Sequence, residues 1–259
     1  MEEKASQCHT PGTLRLVFIL PPFWYNGGMK LLWGIPVLVL SLLAGCTSPT
    51  APTPTQPGFT PEAGLKLPQP RLESSFSLEE ALVGRRSVRE FTDEPLTLQE
   101  VSQLLWSAQG RTSSWGRTVP SAGALYPLEV YLAAGRVNGL SPGIYRYQPE
   151  GHGLIRLSDK DVRGELAQAA VGQGWMADGA ISIIITGVYQ RTTLKYGERG
   201  IRYVHMEAGH AAQNIYLQAT ALNLGTVGVG AFYDDQVRAI LGIPEEETPL
   251  YILPVGRKP

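Results

Sequence analysis

The chain has 259 residues, of which 43% are apolar and 17% are charged, and its formal net charge is −1. This composition is typical of a globular protein and not of a disordered chain. It has neither the basic excess that non-specific nucleic-acid binding requires nor a block of like charge suited to an anionic membrane surface. We therefore expect no nucleic-acid partner.

An apolar run of 13 residues, 31–43, follows Met29 and Lys30. The run is too short to span a bilayer comfortably, but it has the length of the core of a signal peptide. It leads into the letters LAGC, which end at Cys46 and resemble a bacterial lipobox. The alternative is a buried helix that ends in a free cysteine.

Because Met29 begins a complete signal by itself, we interpret residues 1–28 as an unstructured stretch that precedes the true start of translation. Residues 29–46 are then a lipoprotein signal peptide, and the thiol of Cys46 is the lipidation site. This interpretation predicts an exported bacterial lipoprotein, held by its lipid anchor on the periplasmic side of a membrane or at the cell surface.

Residues 47–72 are rich in proline and threonine. Proline at this density cannot continue a helix or lie inside a sheet, so we expect an extended, semi-rigid linker. The globular domain is expected to span residues 73–259. Because the two cysteines, Cys8 and Cys46, both precede it, the domain has no thiol chemistry of its own, and any redox reaction would need a cofactor.

Helices and strands mix in the expected domain without regular βαβ alternation, which favours an α+β fold. Two capping boxes, Ser77 with Glu80 and Thr97 with Glu100, each predict the start of a helix. The further elements predicted are strands at 128–134, 143–149 and 153–157, a helix from Asp159 to about Ala170, a buried strand at 180–187, strands at 225–231 and 250–255, and a helix from Asp234 to Leu241.

The longest periodic stretch is 199–223, where apolar residues recur every three or four positions. This spacing predicts a helix of six or seven turns, whose length indicates burial within something larger than one subunit. Its apolar face would be formed by Ile201, Val204, Ala208, Ala211, Ile215, Ala219 and Leu222.

Four further segments have compositions suited to a ligand. Arg85, Ser87 and Arg89 alternate along an extended segment, so two guanidinium groups would flank a hydroxyl on one side, as a phosphate site requires. Small residues in 120–127 (PSAGALYP) would let the backbone approach a flat ligand. The others are the glycines of 225–230 (GTVGVG) and the basic end of 254–258 (PVGRK).

Each segment also has an ordinary explanation, such as a solvated basic turn or a Pro-Gly loop. The glycine segment is not the G-x-G-x-x-G of dinucleotide-binding folds, and a strand, not a helix, is predicted there. His205 and His210 are five residues apart and do not share a helix face, so we expect no metal site.

Taken in order, the motifs RRSxR, PSAGxxYP, EAGHxAQN on the long helix, GxxGxG and PVGR resemble the nitroreductase family. More narrowly, they resemble its SagB-like branch, which is related to the dehydrogenases that oxidise azoline rings in modified peptides. The resemblance covers about residues 73–259. It implies a central mixed or antiparallel sheet flanked by helices, a homodimer with the long helix in its interface, and one FMN per active site at that interface.

The resemblance also implies roles for individual residues. Arg85, Ser87 and Arg89 match the residues that hold the FMN phosphate and ribityl chain. Arg257 matches a basic phosphate ligand near the C-terminus, with Lys258 as the alternative.

Two backbone segments complete the implied flavin site. The loop that the partner subunit places beside the flavin is matched by Ser121, Ala122 and Gly123. The segment that faces the N5 edge of the isoalloxazine ring is matched by Gly228, Val229 and Gly230.

Lys195 and Tyr196 resemble a pair that acts as general base in the azoline dehydrogenases. Removal of a hydride from a ring carbon is accompanied by loss of a proton, which a desolvated lysine or tyrosine can accept. The alternative is a solvated lysine and a packed tyrosine at a helix start.

We therefore expect an FMN-dependent oxidoreductase that transfers hydride through flavin N5 between a donor and an acceptor. The donor is NAD(P)H or the substrate itself, a small molecule or a peptide. The alternative is a membrane-tethered flavin- or ligand-binding lipoprotein without turnover.

Overall fold

A computed structural model of the chain describes residues 64–114 and 116–259. The strands within these residues are β1 (Leu65–Lys66), β2 (Leu96–Thr97), β3 (Leu128–Ala134), β4 (Val137–Asn138), β5 (Gly143–Gln148), β6 (Gly153–Ser158), β7 (Ile181–Val188), β8 (Leu224–Thr226) and β9 (Glu247–Arg257). The α-helices are α1 (Leu78–Gly84), α2 (Leu98–Gln109), α3 (Arg163–Ala169), α4 (Gln190–Tyr196), α5 (Arg199–Ala221) and α6 (Asp234–Leu241). The predicted signal peptide, Cys46 and the first part of the predicted linker lie outside the described residues.

Seven strands form one sheet in the order β1-β6-β5-β3-β7-β9-β8. Every neighbouring pair in this sheet is antiparallel, and β3 pairs with β7 in unbroken register along its whole length. β2 and β4 form a separate parallel pair. The α+β fold with a mostly antiparallel sheet flanked by helices is confirmed.

Alternate side chains of the sheet enter two hydrophobic cores, as the two-residue period of a strand requires. Leu132 and Ile183 face α2 and α5, whereas Tyr131 and Ile184 face the layer that contains α3 and α6. Residues 181–187 of β7 are all buried, which confirms the prediction of a central strand.

The two predicted capping boxes are present. Ser77 and Thr97 each accept a hydrogen bond from the backbone N–H of the glutamate three residues later, and each glutamate side chain accepts one from the cap residue's N–H. These bonds satisfy N–H groups that the first turn of a helix otherwise leaves without partners.

Most of the predicted apolar face of α5 is covered by the chain's own domain. Val204, Ala208 and Ile215 are at most 1% exposed and pack against the sheet. These residues therefore need no second subunit to cover them, contrary to the expectation from the length of the helix. Ile201, the first residue of the predicted face, remains 42% exposed, and Met206, which is not part of that face, is 53% exposed.

The domain begins earlier than residue 73. β1 pairs with β6, and Leu67 is buried in the core. Gln103 of α2 then accepts a hydrogen bond from the Arg71 N–H and donates one to the Arg71 carbonyl, while Ser102 donates to the Pro68 carbonyl. Proline has no N–H to donate to a β-sheet, but the carbonyls of a proline-rich segment can still accept hydrogen bonds from side chains.

Other differences from the sequence prediction are local. α3 begins at Arg163 and not at Asp159, since Asp161 accepts a hydrogen bond from the Arg163 N–H and pairs with its guanidinium. The strand predicted at 225–231 ends at Thr226. Sequence reasoning missed α4, whose QRTTLKY has no clear apolar period. In the described part of the chain, no helix has the length and hydropathy needed to cross a membrane.

Candidate active site

The segment that carries Arg85, Ser87 and Arg89 runs beside β8. The N–H of Val88 donates a 3.0 Å hydrogen bond to the carbonyl of Thr226. A Cβ at Gly225 would lie only 2.6 Å from Cγ1 of Val88, so glycine is needed for this close approach. The fold thereby brings the arginine-serine segment to the glycine segment.

Tyr216 of α5 joins these two segments. Its hydroxyl accepts a 2.7 Å hydrogen bond from the N–H of Gly228 and lies 3.3 Å from Oγ of Ser87. The guanidinium carbon of Arg85 lies 5.3 Å from the centroid of the Tyr216 ring. Sequence reasoning missed Tyr216, because a half-buried aromatic next to a core position of a helix gives no signal of its own.

The two predicted arginines stack on aromatic rings. Arg85 lies over Tyr216, and the guanidinium carbon of Arg89 lies 5.7 Å from the centroid of the Trp175 ring. Neither has a carboxylate partner among the residues that the structure describes. Both guanidinium groups are thus available to an anion.

The three predicted residues of the glycine segment face different ways. Val229 is buried and exchanges two backbone hydrogen bonds with Ile252, of 2.8 and 3.0 Å. Gly228 is half-buried and Gly230 is exposed, and nothing lies within 4 Å of a Cβ placed at Gly230. Gly230 therefore borders open space and Gly228 lies against the rings of Tyr251 and Tyr216, whereas Val229 anchors the segment to β9.

The predicted phosphate ligand Arg257 forms an ion pair with a carboxylate. Its guanidinium makes a bidentate pair with Glu100, at 2.8 and 3.0 Å. Burial opposes ionisation of Glu100, but its hydrogen bonds with Thr97 and Arg257 outweigh burial and lower its pKa. The guanidinium of Arg257 thus already has a carboxylate partner, unlike those of Arg85 and Arg89 in the described part of the chain. The neighbouring Lys258 is exposed, and its stem lies close to Gly225, as Val88 does.

The loop 120–127 is strained. Gly123, Ala124 and Tyr126 have φ angles of 64°, 55° and 45°, and two of these three residues are not glycine. Such conformations cost free energy and persist where surrounding contacts enforce them, commonly at functional sites. Here Oγ of Ser121 accepts a 2.9 Å hydrogen bond from the N–H of Tyr126.

The predicted pair Lys195 and Tyr196 ends α4 and touches this loop. A Cβ at Gly123 would lie 2.8 Å from the Tyr196 hydroxyl and 3.0 Å from Nζ of Lys195, so no larger residue fits without displacing them. Tyr196 is half-buried, with its ring edge-on to Tyr203, and Lys195 is exposed. The structure therefore brings the predicted loop and the predicted pair together.

α4 also fixes the end of the loop. Arg191 donates a 3.0 Å hydrogen bond to the carbonyl of Tyr126 and makes a 2.6 Å ion pair with Glu129. Glu129 is mostly buried and pairs with Arg146 as well, at 2.9 Å. The loop is thus tied to β3, β5 and α4.

A buried carboxyl lies beneath the same loop. Glu207 of α5 is 3% exposed, and it hydrogen-bonds to Ser121 and to Nε2 of Gln109, the latter at 3.4 Å. Burial raises the pKa of Glu207 to about 7, against the opposing effect of those hydrogen bonds. Sequence reasoning missed Glu207, because one glutamate within the EAGHxAQN motif gives no local sign of its burial.

The two histidines lie in different surroundings. Nε2 of His205 lies 2.7 Å from the Tyr189 hydroxyl, and His210 is exposed. Within the described ranges, no group of three or more His, Cys, Asp or Glu side chains is arranged to hold a metal ion.

Comparison with known proteins identifies a family for this domain. Residues 82–257 match the model of the nitroreductase family. A Methanocaldococcus jannaschii protein, named as a candidate nitroreductase, is 52% identical over 75% of this chain and 97% of its own length.

Solved structures named as candidate nitroreductases share the fold. That from Ralstonia eutropha is 28% identical over 76% of this chain and 90% of its own, with a TM-score of 0.67. That from Anabaena variabilis is 37% identical over 70% of this chain, with a TM-score of 0.64, but the match spans only 38% of the Anabaena chain.

More distant relatives have names that describe a pathway or a reaction. A trifolitoxin operon protein of Rhizobium leguminosarum is 27% identical over 74% of this chain. An FMN reductase (NADPH) of Bacillus subtilis is 25% identical over 68% of this chain. The chain spans less than two thirds of either relative, 58% and 64% respectively.

Proposed function

The chain belongs to the nitroreductase family, and we propose that within it the protein is an FMN-dependent oxidoreductase of the SagB-like, azoline-dehydrogenase type. The names of its flavin-reductase relatives support a flavin, and the trifolitoxin relative supports a substrate in the modified-peptide class. NAD(P)H is the other candidate electron donor.

The observation that carries this proposal is the contact of Tyr216 with both Ser87 and Gly228. Two segments far apart in sequence, each expected to bind flavin, meet at one tyrosine. The chemistry fits FMN, because a phosphate needs cationic donors and Arg85 and Arg89 have no acidic partner in the described part of the chain.

We assign the phosphate and ribityl chain to Arg85, Ser87 and Arg89, with Lys258 in preference to Arg257 as the C-terminal cation. Gly228 and Gly230 would border the ring edge, with Val229 as their anchor.

When bound, FMN supplies an acceptor and donor of hydride. The chain's own residues supply the rest. The open backbone at Gly230 lets a flat ring approach. Once bound substrate covers the exposed Lys195, its neutral amine, or Tyr196 as phenolate, would accept the proton that leaves the substrate. Contact of this pair with Gly123 sets the position of both groups beside the loop.

The arrangement supports a homodimer. Tyr203 of α5 packs on Tyr196. On the same helix, Tyr216 is 13 residues after Tyr203, which is about 20 Å along the helix axis. The Lys195–Tyr196 pair and the Tyr216 contacts of one chain therefore lie near opposite ends of α5. A second subunit that contributes Ser121, Ala122 and Gly123 would complete each site.

We further propose that Cys46 is lipidated and that the protein is attached to a membrane outside the compartment of synthesis. The support is the sequence alone, namely the apolar run and the LAGC ending.

The test begins with the colour of the purified chain. It should be yellow, and acid should release FMN. A colourless protein that also fails to take up added FMN would refute the cofactor assignment. The loaded protein should then oxidise a synthetic thiazoline peptide or be reduced by NADH or NADPH, whereas complete inertness would favour a binding protein without turnover.

Substitution of Lys195 by Met provides the matched control for turnover. This variant should retain FMN, since the groups assigned to the phosphate and ribityl chain lie with Tyr216 and not with Lys195, but it should lose oxidation of the thiazoline peptide. If K195M oxidises the peptide at the wild-type rate, Lys195 is not the proton acceptor.

A further inference from the structure

His152 is a buried titratable residue that the proposed chemistry does not use. It lies in the turn between β5 and β6, is 8% exposed and has a φ angle of 52°, in the left-handed region. Its ring contacts segment 64–71, which is a part of the predicted linker that packs on the domain. Because the charge of a histidine changes near physiological pH, a buried histidine against such a segment is a candidate for a switch.

The imidazole of His152 joins three parts of the chain. Its Nδ1 lies 2.8 Å from the hydroxyl of Tyr147 on β5. Its Nε2 lies 2.7 Å from Oγ of Ser102 on α2 and 3.1 Å from the carbonyl of Pro68 in segment 64–71. Since a carbonyl can only accept, we assign the ring hydrogen to Nε2, so that Nδ1 accepts from Tyr147. The neutral ring thus satisfies all of these groups, with Ser102 donating to Pro68 as well.

The backbone of His152 holds the same segment. Its carbonyl accepts a 3.0 Å hydrogen bond from the N–H of Leu67, whose side chain is 2% exposed. The strand β1, which precedes Leu67, is only two residues long. Docking of segment 64–71 therefore depends mainly on the contacts of Leu67 and Pro68 around His152 and on those of Arg71 with Gln103.

Among the described residues, no free carboxylate is in place to stabilise a charged His152. The ring borders a cavity of about 550 Å³, which gives solvent access and is also lined by Lys66, Arg111 and Glu150. Glu150 already pairs with Arg111 and Arg117, at 3.3 Å each. Burial opposes ionisation of Glu150, but a backbone hydrogen bond and the two arginines outweigh burial and lower its pKa, so it stays ionised where a histidine titrates.

Protonation of His152 disrupts this arrangement. A proton on Nδ1 points at the oxygen of Tyr147, which is 1% exposed, so the hydroxyl hydrogen must turn away from its acceptor. Burial lowers the pKa of His152, against the opposing effect of its contact with the Pro68 carbonyl. Displacement of Pro68 returns Nε2 to water, so the charged ring favours the displaced segment.

We propose that His152 is a proton-sensitive latch, which holds segment 64–71 on the domain while the ring is neutral and loosens it when the ring is protonated. The released form binds the proton more tightly than the docked form, so docking weakens as the pH falls. Under the proposed lipidation of Cys46, release of these eight residues lengthens the tether to the membrane by up to about 28 Å.

Amide hydrogen exchange of the full chain tests the latch directly. After correction for the intrinsic pH dependence of exchange, protection of the Leu67 and Arg71 amides should fall about tenfold from about pH 7.5 to about pH 5. Protection of Ile183, in the middle of β7, should not fall. A corrected protection of Leu67 that is the same at both pH values, or an equal loss at Ile183, would overturn the inference.

Two substitutions separate titration from simple contact. His152→Gln keeps a donor and an acceptor but does not titrate, so protection of Leu67 should lose its pH dependence. Ser102→Ala removes a donor to Pro68, so protection should be lower at both pH values while its pH dependence remains. In the wild type, the ring of His152 followed by NMR should titrate over the same pH range as Leu67 protection. A wild-type profile in H152Q, or a ring that titrates over a different range, contradicts the latch.

The matched control is His205→Gln. The ring of His205 lies edge-on to Tyr189 with centroids 5.6 Å apart, as that of His152 lies to Tyr147 at 5.7 Å. His205 is exposed, however, and its hydrogen bond is to Tyr189 and not to segment 64–71. H205Q should keep the wild-type pH profile of Leu67 exchange, and loss of the pH dependence in this variant would overturn the inference. Because these measurements need neither FMN nor a lipid, they decide the role of His152 even if the proposed function fails.

Discussion

The hydroxyl of Tyr216 accepts a 2.7 Å hydrogen bond from the backbone N–H of Gly228 and lies 3.3 Å from Oγ of Ser87. One residue of the long helix thus sets the distance between the arginine-serine segment and the glycine segment. The helix in turn is fixed by Ile215, the next residue toward its start, which is fully buried in the core. The geometry of the candidate flavin site therefore depends on the packing of α5.

Substitution of Tyr216 by Phe should weaken FMN binding while the fold is retained. The change keeps the ring under Arg85 but leaves the N–H of Gly228 without its acceptor, a loss of about 1–3 kcal/mol. Quenching of FMN fluorescence would measure the affinity. The control is Tyr131→Phe, which removes a buried hydroxyl bonded to Glu247 and should lower stability but not FMN affinity. Equal affinities of Y216F and wild type would place the flavin away from Tyr216.

Alanine substitution can distinguish the roles of Arg85, Arg257 and Lys258 in FMN binding. Arg85→Ala should weaken FMN binding by about 1.5–3 kcal/mol, the range for a charge-assisted hydrogen bond. Lys258→Ala should also weaken it. Arg257→Ala should instead lower the free energy of unfolding, because it leaves the half-buried Glu100 without its bidentate partner. Titration with FMN measures the affinity, and urea unfolding measures the stability. If R257A loses FMN and K258A does not, Arg257 and not Lys258 is the C-terminal cation.

The sequence could predict elements whose signals are local. The two capping boxes, β3, the central strand and α6 follow from hydrogen-bonding side chains and apolar periods within one segment. The meeting of Arg85 with Tyr216 and of Gly123 with Tyr196 depends on how distant segments pack, which no local pattern encodes. For the same reason the sequence could not show that Arg257 is paired with Glu100 while the neighbouring Lys258 is exposed to a ligand.

The length of α5 was misleading as a sign of a subunit interface. The periodic residues other than Ile201 are buried or half-buried within the domain, so their spacing reflects the internal core and not an external partner. The side chains that remain accessible do not repeat as one apolar stripe, since Ile201 and Met206 alternate with Arg202, His205 and His210. Only the structure separates the two faces.

Substitution of Glu207 by Gln should stabilise the protein at neutral pH. Burial raises the pKa of Glu207 from 4.5 to about 7, so the folded chain binds this proton more tightly than the unfolded chain. The wild type therefore loses stability as the pH rises from about 4.5 to about 7, by up to about 3 kcal/mol, whereas the variant does not. Urea unfolding at several pH values measures the difference between the two proteins. A variant less stable than wild type at pH 8 would contradict this linkage.

Substitution of Cys46 by Ser should prevent lipidation. In the native host the variant should accumulate as uncleaved precursor or appear in the soluble fraction, because each buried CH₂ of a lipid chain contributes about 0.8 kcal/mol to membrane binding. Membrane fractionation measures attachment, and the mass of the N-terminal fragment shows whether the signal peptide has been cleaved and Cys46 lipidated. The control is Cys8→Ser, which should behave as wild type. Membrane partitioning of C46S after normal cleavage would exclude this cysteine as the anchor.

Charge substitutions on the accessible side of the helices should separate dimerisation from folding. Ile215 is fully buried, so Ile215→Glu should unfold the chain and report nothing about association. Met206 of α5 and Leu82 of α1 are 53% and 52% exposed in the single chain, so Met206→Glu and Leu82→Glu should fold. Both should nevertheless sediment as monomers and lose FMN, because an interface of about 2,000 Å² or more would bury the new charge.

The control for this experiment is Val171→Glu. Val171 is 60% exposed next to α3, in the layer on the other face of the sheet, and its substitution should leave the dimer and the flavin unchanged. The melting temperature of the wild type should rise with protein concentration, as it does when folding is coupled to association. A yellow wild-type monomer at micromolar concentration would show that one chain supplies all the walls of the flavin site. The loop 120–127 would then have to reach the flavin of its own chain.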